Sequence, residues 1–175
     1  MGGIPIRIRN MTYCALFAAL LAVCAWICIP VSDIGITMQT FGISLALLLL
    51  GGKWGSVSIG IYLLLGLCGA PVFSGFRGGF GVLLGATGGF LWGFLFSGLA
   101  YWALERFGKL PALLFGQLAC YLCGCLWFSH YAGGGIWLIL LRCVVPYLIP
   151  DGIKLWLAWR ISGRLKKVIN IPSRA

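Results

Sequence analysis

The chain has 175 residues, of which 61% are hydrophobic and 9% charged, and its mean hydropathy is +1.04. A soluble domain cannot hide that much apolar surface, so the composition requires an integral membrane protein and leaves no length for a sizeable soluble domain. The net charge of +10 comes from 13 Lys and Arg against 3 Asp and Glu; these cations stand at the ends of apolar runs, as the positive-inside rule expects, and no basic stripe with interleaved aromatics marks a nucleic-acid partner.

Residues 1–11 carry Arg7 and Arg9, and the apolar run Thr12 to Ile29 reads as an uncleaved first helix ended by Pro30. Ala15, Ala18, Ala19 and Ala22 give it small-residue spacing, which suits close packing against a helix of this protein or of a partner. Val31 to Thr40 is a polar break containing Ser32, Asp33, Thr37 and Gln39. A second span starts near Met38 and runs through Phe41 to Gly51, and Gly52-Lys53-Trp54 forms a tight inner turn. This Gly-Lys pair is not a phosphate loop. Leu47 stands where the upstream glycine is required, and Trp54 where Ser or Thr must hold magnesium. Ser56 to Gly69 is the third segment.

The stretch PVFSGFRGGFGVLLGATGGFLWGF, Pro71 to Phe94, comes next. Its first half is too broken by Pro and Gly to span a bilayer, so it is expected to line or cover a pocket. Gly81, Gly85, Gly89 and Gly93 form one bare ridge if residues 81–93 are helical, and that helix continues to about Leu104. Glu105 to Lys109 is a charged inner turn, Leu110 to Phe128 the fifth segment, and Ser129 to Gly135 a polar outer loop. Ile136 to Val145, interrupted by Arg142, is short enough for a surface or re-entrant helix. The last span is expected from Pro150 to Leu165, barely long enough to cross at about 1.5 Å per residue.

These segments describe an all-α integral membrane protein of six transmembrane helices, a single membrane-embedded domain over 1–175. Arg7, Arg9, Lys53, Arg106, Lys109, Arg160, Arg164, Lys166, Lys167 and Arg174 fall on the side of both termini, which places the N- and C-termini in the cytoplasm. Arg77, Arg142 and Lys154 fall on the other side or within the membrane.

Asp151 and Lys154 stand three apart in PYLIPDGIKLWLAW and share a helix face. An ionisable residue inside a span is a functional candidate by default. Pro150 suits a first helical turn, which would put Asp151 at a helix N-terminus, where the dipole favours an anion. The pair either caps the span as a mutually neutralising couple or offers an acceptor and a donor to one small polar ligand near the outer face. Gln39 is either an interfacial amide or a ligand contact, and Arg77 either an exposed loop charge or an anion partner. Tyr62 is a hydroxyl inside an apolar helix. The CxxC at Cys120 and Cys123 has no second pair or nearby His to complete a zinc site, so no metal is expected. No two of Asp33, Glu105 and Asp151 are placed as a catalytic pair, and no HExxH, GxSxG or Walker A occurs, so no enzymatic step is expected.

At Pro71 to Phe94 the sequence resembles the BioY family, the biotin-binding S-components of energy-coupling-factor (ECF) vitamin transporters. TMQTF at 37–41 resembles the family's TxQ element, YLLLGLCGAPVF at 62–73 its Y-x-x-x-G-x-x-G-x-P-V-F element, and PYLIPDGIK at 146–154 its P-F-x-P-x-D-x-x-K element. The family's GPTGGY reads GATGGF here, with Ala86 for Pro and Phe90 for Tyr. The resemblance implies a biotin pocket near the outer face, with biotin as transported ligand and no cofactor. It implies that the first helix's small-residue face docks on a transmembrane coupling subunit energised by two ATPase subunits in the plasma membrane. It carries Asp151 and Lys154 over as ligand residues, and Gln39, Tyr62 and Thr87 as pocket-side positions. A stand-alone secondary transporter, with Asp151 exchanging protons, is the alternative.

Overall fold

The computed structural model describes residues 6–30, 35–133 and 136–168; Ser32, Asp33, Gly134, Gly135 and Arg174 lie outside them. The first helix, α1, spans Ile6–Trp26. It starts earlier than expected and ends before Cys28–Ile29, which forms a short strand, β1, antiparallel to β2 at Ile36–Thr37. Among the described residues three helical runs, Ile6–Trp26, Gln39–Leu67 and Lys109–Ala132, are long and apolar enough to cross a membrane.

The helical run α2, Gln39–Leu67, breaks at Gly51, whose φ of 79° and ψ of 172° are open to glycine and little else. A straight helix would separate residues 39 and 62 by about 35 Å. Instead the Gln39 Nε2 group donates to the Tyr62 hydroxyl at 2.8 Å, so the arms 39–50 and 52–67 fold back on one another. The chain therefore reverses one residue earlier than the Gly52-Lys53-Trp54 turn expected from sequence. Gly52 serves a different purpose: a methyl group there would overlap the backbone of Trp102. Its N–H donates to Glu105 Oε2 at 2.9 Å, a carboxylate at the start of the second arm, where the helix dipole favours it.

Residues 42–50 are buried without exception, as a helix hydrophobic all round must be when it lies at the centre. Around the α2 hairpin pack α1, α4 (Gly88–Leu104) and α7 (Val145–Val168). Next to α4 stands α5, Lys109–Ala132, followed by the short α6, Ile136–Cys143, which packs on α5 and α7. A 3-10 turn, Glu105–Phe107, joins α4 to α5.

Three expectations need correction. Residues 81–93 are not one helix: α3 covers Phe80–Leu84, and Gly85 is extended at φ −74° and ψ −178° before α4 begins at Gly88. The glycine ridge is accordingly shorter. Gly89 and Gly93 admit Trp127 and the Cys120 backbone of α5, whereas Gly81 faces open space. The last helix does not begin at Pro150. It starts at Val145 and carries Pro150 inside it, so Asp151 lies in its second turn and the helix-terminus argument for its charge falls. Finally, the alanines of α1 divide. Ala18 and Ala22 are buried in the core, while Ala15 and Ala19 face outward. The four share one arc of about 100°, and the edge of the core runs along it between Ala22 and Ala15.

Replacing Gly51 by Ala puts a side chain in a backbone region that is nearly glycine-only, at about 1–3 kcal/mol. The thermal unfolding temperature in detergent should drop by several degrees; an unchanged value would show that the turn relaxes freely.

Candidate functional site

The site is built around Asp151, 3% exposed, and Lys154, 7% exposed, one turn apart on α7. Lys154 Nζ lies 2.7 Å from Asp151 Oδ1. A buried carboxylate needs its lone pairs filled. Thr40 Oγ1 donates to the same oxygen at 2.9 Å, while Tyr121 Oη at 2.6 Å and Gln117 Nε2 at 3.2 Å donate to Oδ2. Each carboxylate oxygen thus takes two donors, drawn from α2, α5 and α7. Lys154 also donates to the Thr37 carbonyl at 2.7 Å, which ties α7 to β2.

A second chain of hydrogen bonds runs off this cluster. The Thr37 hydroxyl donates to Gln39 Oε1 at 2.9 Å, Gln39 Nε2 to the Tyr62 hydroxyl, and Tyr62 to the Val72 carbonyl at 3.2 Å. It joins both arms of α2 to the loop that follows them. That loop folds on itself through a bridge between Phe73 and Arg77. The Phe73 ring meets Tyr62 edge-on with centroids 5.6 Å apart. Phe76, at φ 57°, stacks on Trp26 at 5.0 Å, and the Trp26 indole donates to the Pro71 carbonyl at 2.9 Å. The loop is therefore fastened to the end of α1.

These elements enclose a cavity of about 490 Å³, within the ~300–1,000 Å³ of small-molecule sites. Thr37, Gln39, Thr40, Gln117, Tyr121, Asp151 and Lys154 make one wall polar. Phe73, Val82, Phe90, Leu91 and Phe94 supply an apolar middle. Ser74 and the exposed Arg77 stand at the rim. Arg77 Nε donates to the Ser74 carbonyl at 3.1 Å. Thr87 also lines the cavity, and its hydroxyl makes no capping bond to its own helix.

Of the residues singled out in the sequence, the cavity wall brings together Asp151, Lys154, Gln39, Arg77 and Thr87. Tyr62, 1% exposed, stands behind Gln39 rather than in the wall, and orients that amide. Thr40, Gln117 and Tyr121 were missed. Gln117 and Tyr121 are four apart on α5, a polar pair on one helix face inside an apolar span, and that spacing was the available signal. Thr40 had none beyond its place beside Gln39.

The BioY family profile matches residues 2–171. The chain belongs to the BioY family. A probable biotin transporter BioY of Pyrococcus horikoshii is 38% identical over 163 residues, covering 92% of this chain and 98% of that protein. The biotin transporter BioY of Thermotoga maritima is 36% identical over 165 residues, covering 91% and 97%. Among solved structures, the S-component for biotin from an ECF-type ABC transporter superposes with a TM-score of 0.85 at 30% identity over 95% of each chain. In this BioY chain, Ala86 and Phe90 of the GATGGF segment lie where the cavity wall meets the packing of α5 and α6.

The Asp151–Lys154 couple makes a clear mutational signature. Lys154→Met leaves a buried carboxylate without its countercharge and should destabilise by about 3–5 kcal/mol. The double variant Asp151→Asn, Lys154→Met should be less damaged than Lys154→Met alone. Thermal unfolding of the purified variants measures both, and the reverse order would contradict a coupled pair.

Proposed function

We propose that this chain is the biotin-binding S-component of an ECF-type vitamin transporter, which captures biotin at the outer face and delivers it to the cytoplasm. The observation that carries this reading is the donor–acceptor couple Asp151–Lys154 buried at one end of a mostly apolar cavity. Biotin's ureido ring presents two N–H donors and a carbonyl acceptor, and its valeryl chain ends in a carboxylate. The ring suits the deep polar wall, where Asp151 accepts and Lys154, Gln39 and Gln117 donate. The valeryl chain suits the apolar middle, and the carboxylate suits Arg77 at the rim. Family membership and the likeness to a biotin S-component support the same ligand.

In this reading residues 1–175 form one membrane-embedded domain of the plasma membrane. Its six spans are α1, the two arms of α2, α4, α5 and α7; α6 lies at the outer surface, and both termini are cytoplasmic. The arm 39–50 reaches only about 18 Å and is shielded from lipid by its neighbours. The turns at Gly51 and at Glu105–Phe107 meet through the Gly52–Glu105 bond, so Lys53 and Arg106 share one end of the bundle, and the positive-inside rule supports taking that end as cytoplasmic. Ala15 and Ala19 are the part of the small-residue face left to meet the coupling subunit, with two ATPase subunits behind it. The chain binds and carries, and it catalyses nothing.

Binding of biotin and of its methyl ester tests the orientation. Asp151→Asn should weaken biotin binding at least tenfold, about 1.4 kcal/mol or more. Arg77→Ala should weaken biotin but not the ester, and the ester should bind the wild type as poorly as Arg77→Ala binds biotin. Equal binding of acid and ester by the wild type would remove Arg77 from the site. Uptake by vesicles holding this chain alone, abolished by collapse of the proton gradient, would instead favour a stand-alone carrier.

A further inference from the structure

We infer that Trp127 is a positioning residue for ligand binding: its indole holds the Gly85–Gly88 turn that sets Thr87 and Phe90 in the cavity wall. The inference deepens the biotin-binding reading and rests on it for its ligand. By composition nothing but glycine interrupts residues 80–104, and an uninterrupted helix would turn Thr87 and Phe90 to other directions. The chain breaks there all the same. Gly88 N–H donates to the Gly85 carbonyl at 2.9 Å, closing a four-residue turn. Thr87, at φ −87° and ψ −4°, has the third-position geometry of a type I turn. A methyl group on Gly88 would overlap the Leu83 carbonyl, so only glycine fits the last position.

In a helix the Gly85 carbonyl would accept from residue 89. Here it accepts instead from Gly88 and from Trp127 Nε1, the latter at 3.0 Å across from α5. Gly89 allows this approach, because a methyl group there would strike the Trp127 side chain. The indole thus removes the helical option for that carbonyl. From the turn, α4 begins with Thr87 as its N-cap, and Phe90 and Leu91 follow into the wall.

Ala86 is the second residue of this turn, the place where a type I turn favours proline. Gly85 before it is extended, the region into which a following proline drives its neighbour. A proline at 86 would therefore impose the same break from within the backbone. In this chain, with alanine there, the break depends on Trp127.

This gives a rescue test. Trp127→Phe keeps most of the ring volume and removes the donor. It should raise the biotin dissociation constant about fivefold, the size of one neutral hydrogen bond. It should also speed amide exchange of the 85–91 peptide in the ligand-free protein. Adding Ala86→Pro to Trp127→Phe should restore both to within about twofold of the wild type, which a loss of general packing would not allow. If Trp127→Phe changes neither readout, or if the proline restores neither, the inference is wrong. Should Trp127→Phe not fold, a folded, biotin-binding double variant supports it and an unfolded one overturns it. Should the wild type not bind biotin, the functional reading fails, and the exchange readouts still decide the role of Trp127.

Discussion

An ionised carboxylate and an ammonium group surrounded by apolar side chains persist only if their lone pairs and protons are used. Asp151 and Lys154 meet that demand with partners from β2, α2, α5 and α7. No single helix could supply them. The architecture follows: a hairpin that turns at Gly51 returns Tyr62 to the level of Gln39, and α5 passes with Gln117 and Tyr121 on the facing side. Glycines at 89, 93, 116 and 124 bring α4 and α5 close enough for that geometry. Between helices in lipid, where apolar burial gives no advantage, such close contact is a main source of cohesion.

In the proposed reading, the same cluster that holds the cavity wall together also prepares it for a ligand. Its donors and acceptors are already held in place, by Tyr62 behind Gln39 and by Tyr121 beside Asp151 in the wall. A ring with donors and an acceptor can exchange with internal partners without new polar groups being buried unpaired. Preorganisation of this kind lowers the entropic cost of binding. The opposite end of the cavity is more open. Arg77 is exposed there, on a loop fastened through the Trp26–Phe76 stack, the Trp26–Pro71 bond, the Tyr62–Val72 bond and the buried Phe73 ring.

Much of this was legible in the chain, and the rest was hidden for physical reasons. The Asp151–Lys154 spacing was plain because charge inside an apolar span is rare. The end of α4 near Leu104 and the short α6 followed from charge and length. The turn at 51 was read one residue late because Gly51 and Gly52 look alike in sequence; one supplies a positive φ and the other a close approach to Trp102, and only packing tells them apart. Pro150 was taken as a helix start, although membrane helices accept interior prolines when neighbours shield the freed carbonyl. The break at Gly85 was invisible because its agent, Trp127, lies 42 residues away. Gln117 and Tyr121 went unread because their partner, Asp151, lies 34 and 30 residues away.

The most direct measurement is an isothermal titration of the purified wild-type protein in detergent with biotin. Saturable binding at one biotin per chain is the expected result. A titration with no saturable heat, on protein shown to be folded, would contradict the assignment of the Asp151–Lys154 cavity to biotin.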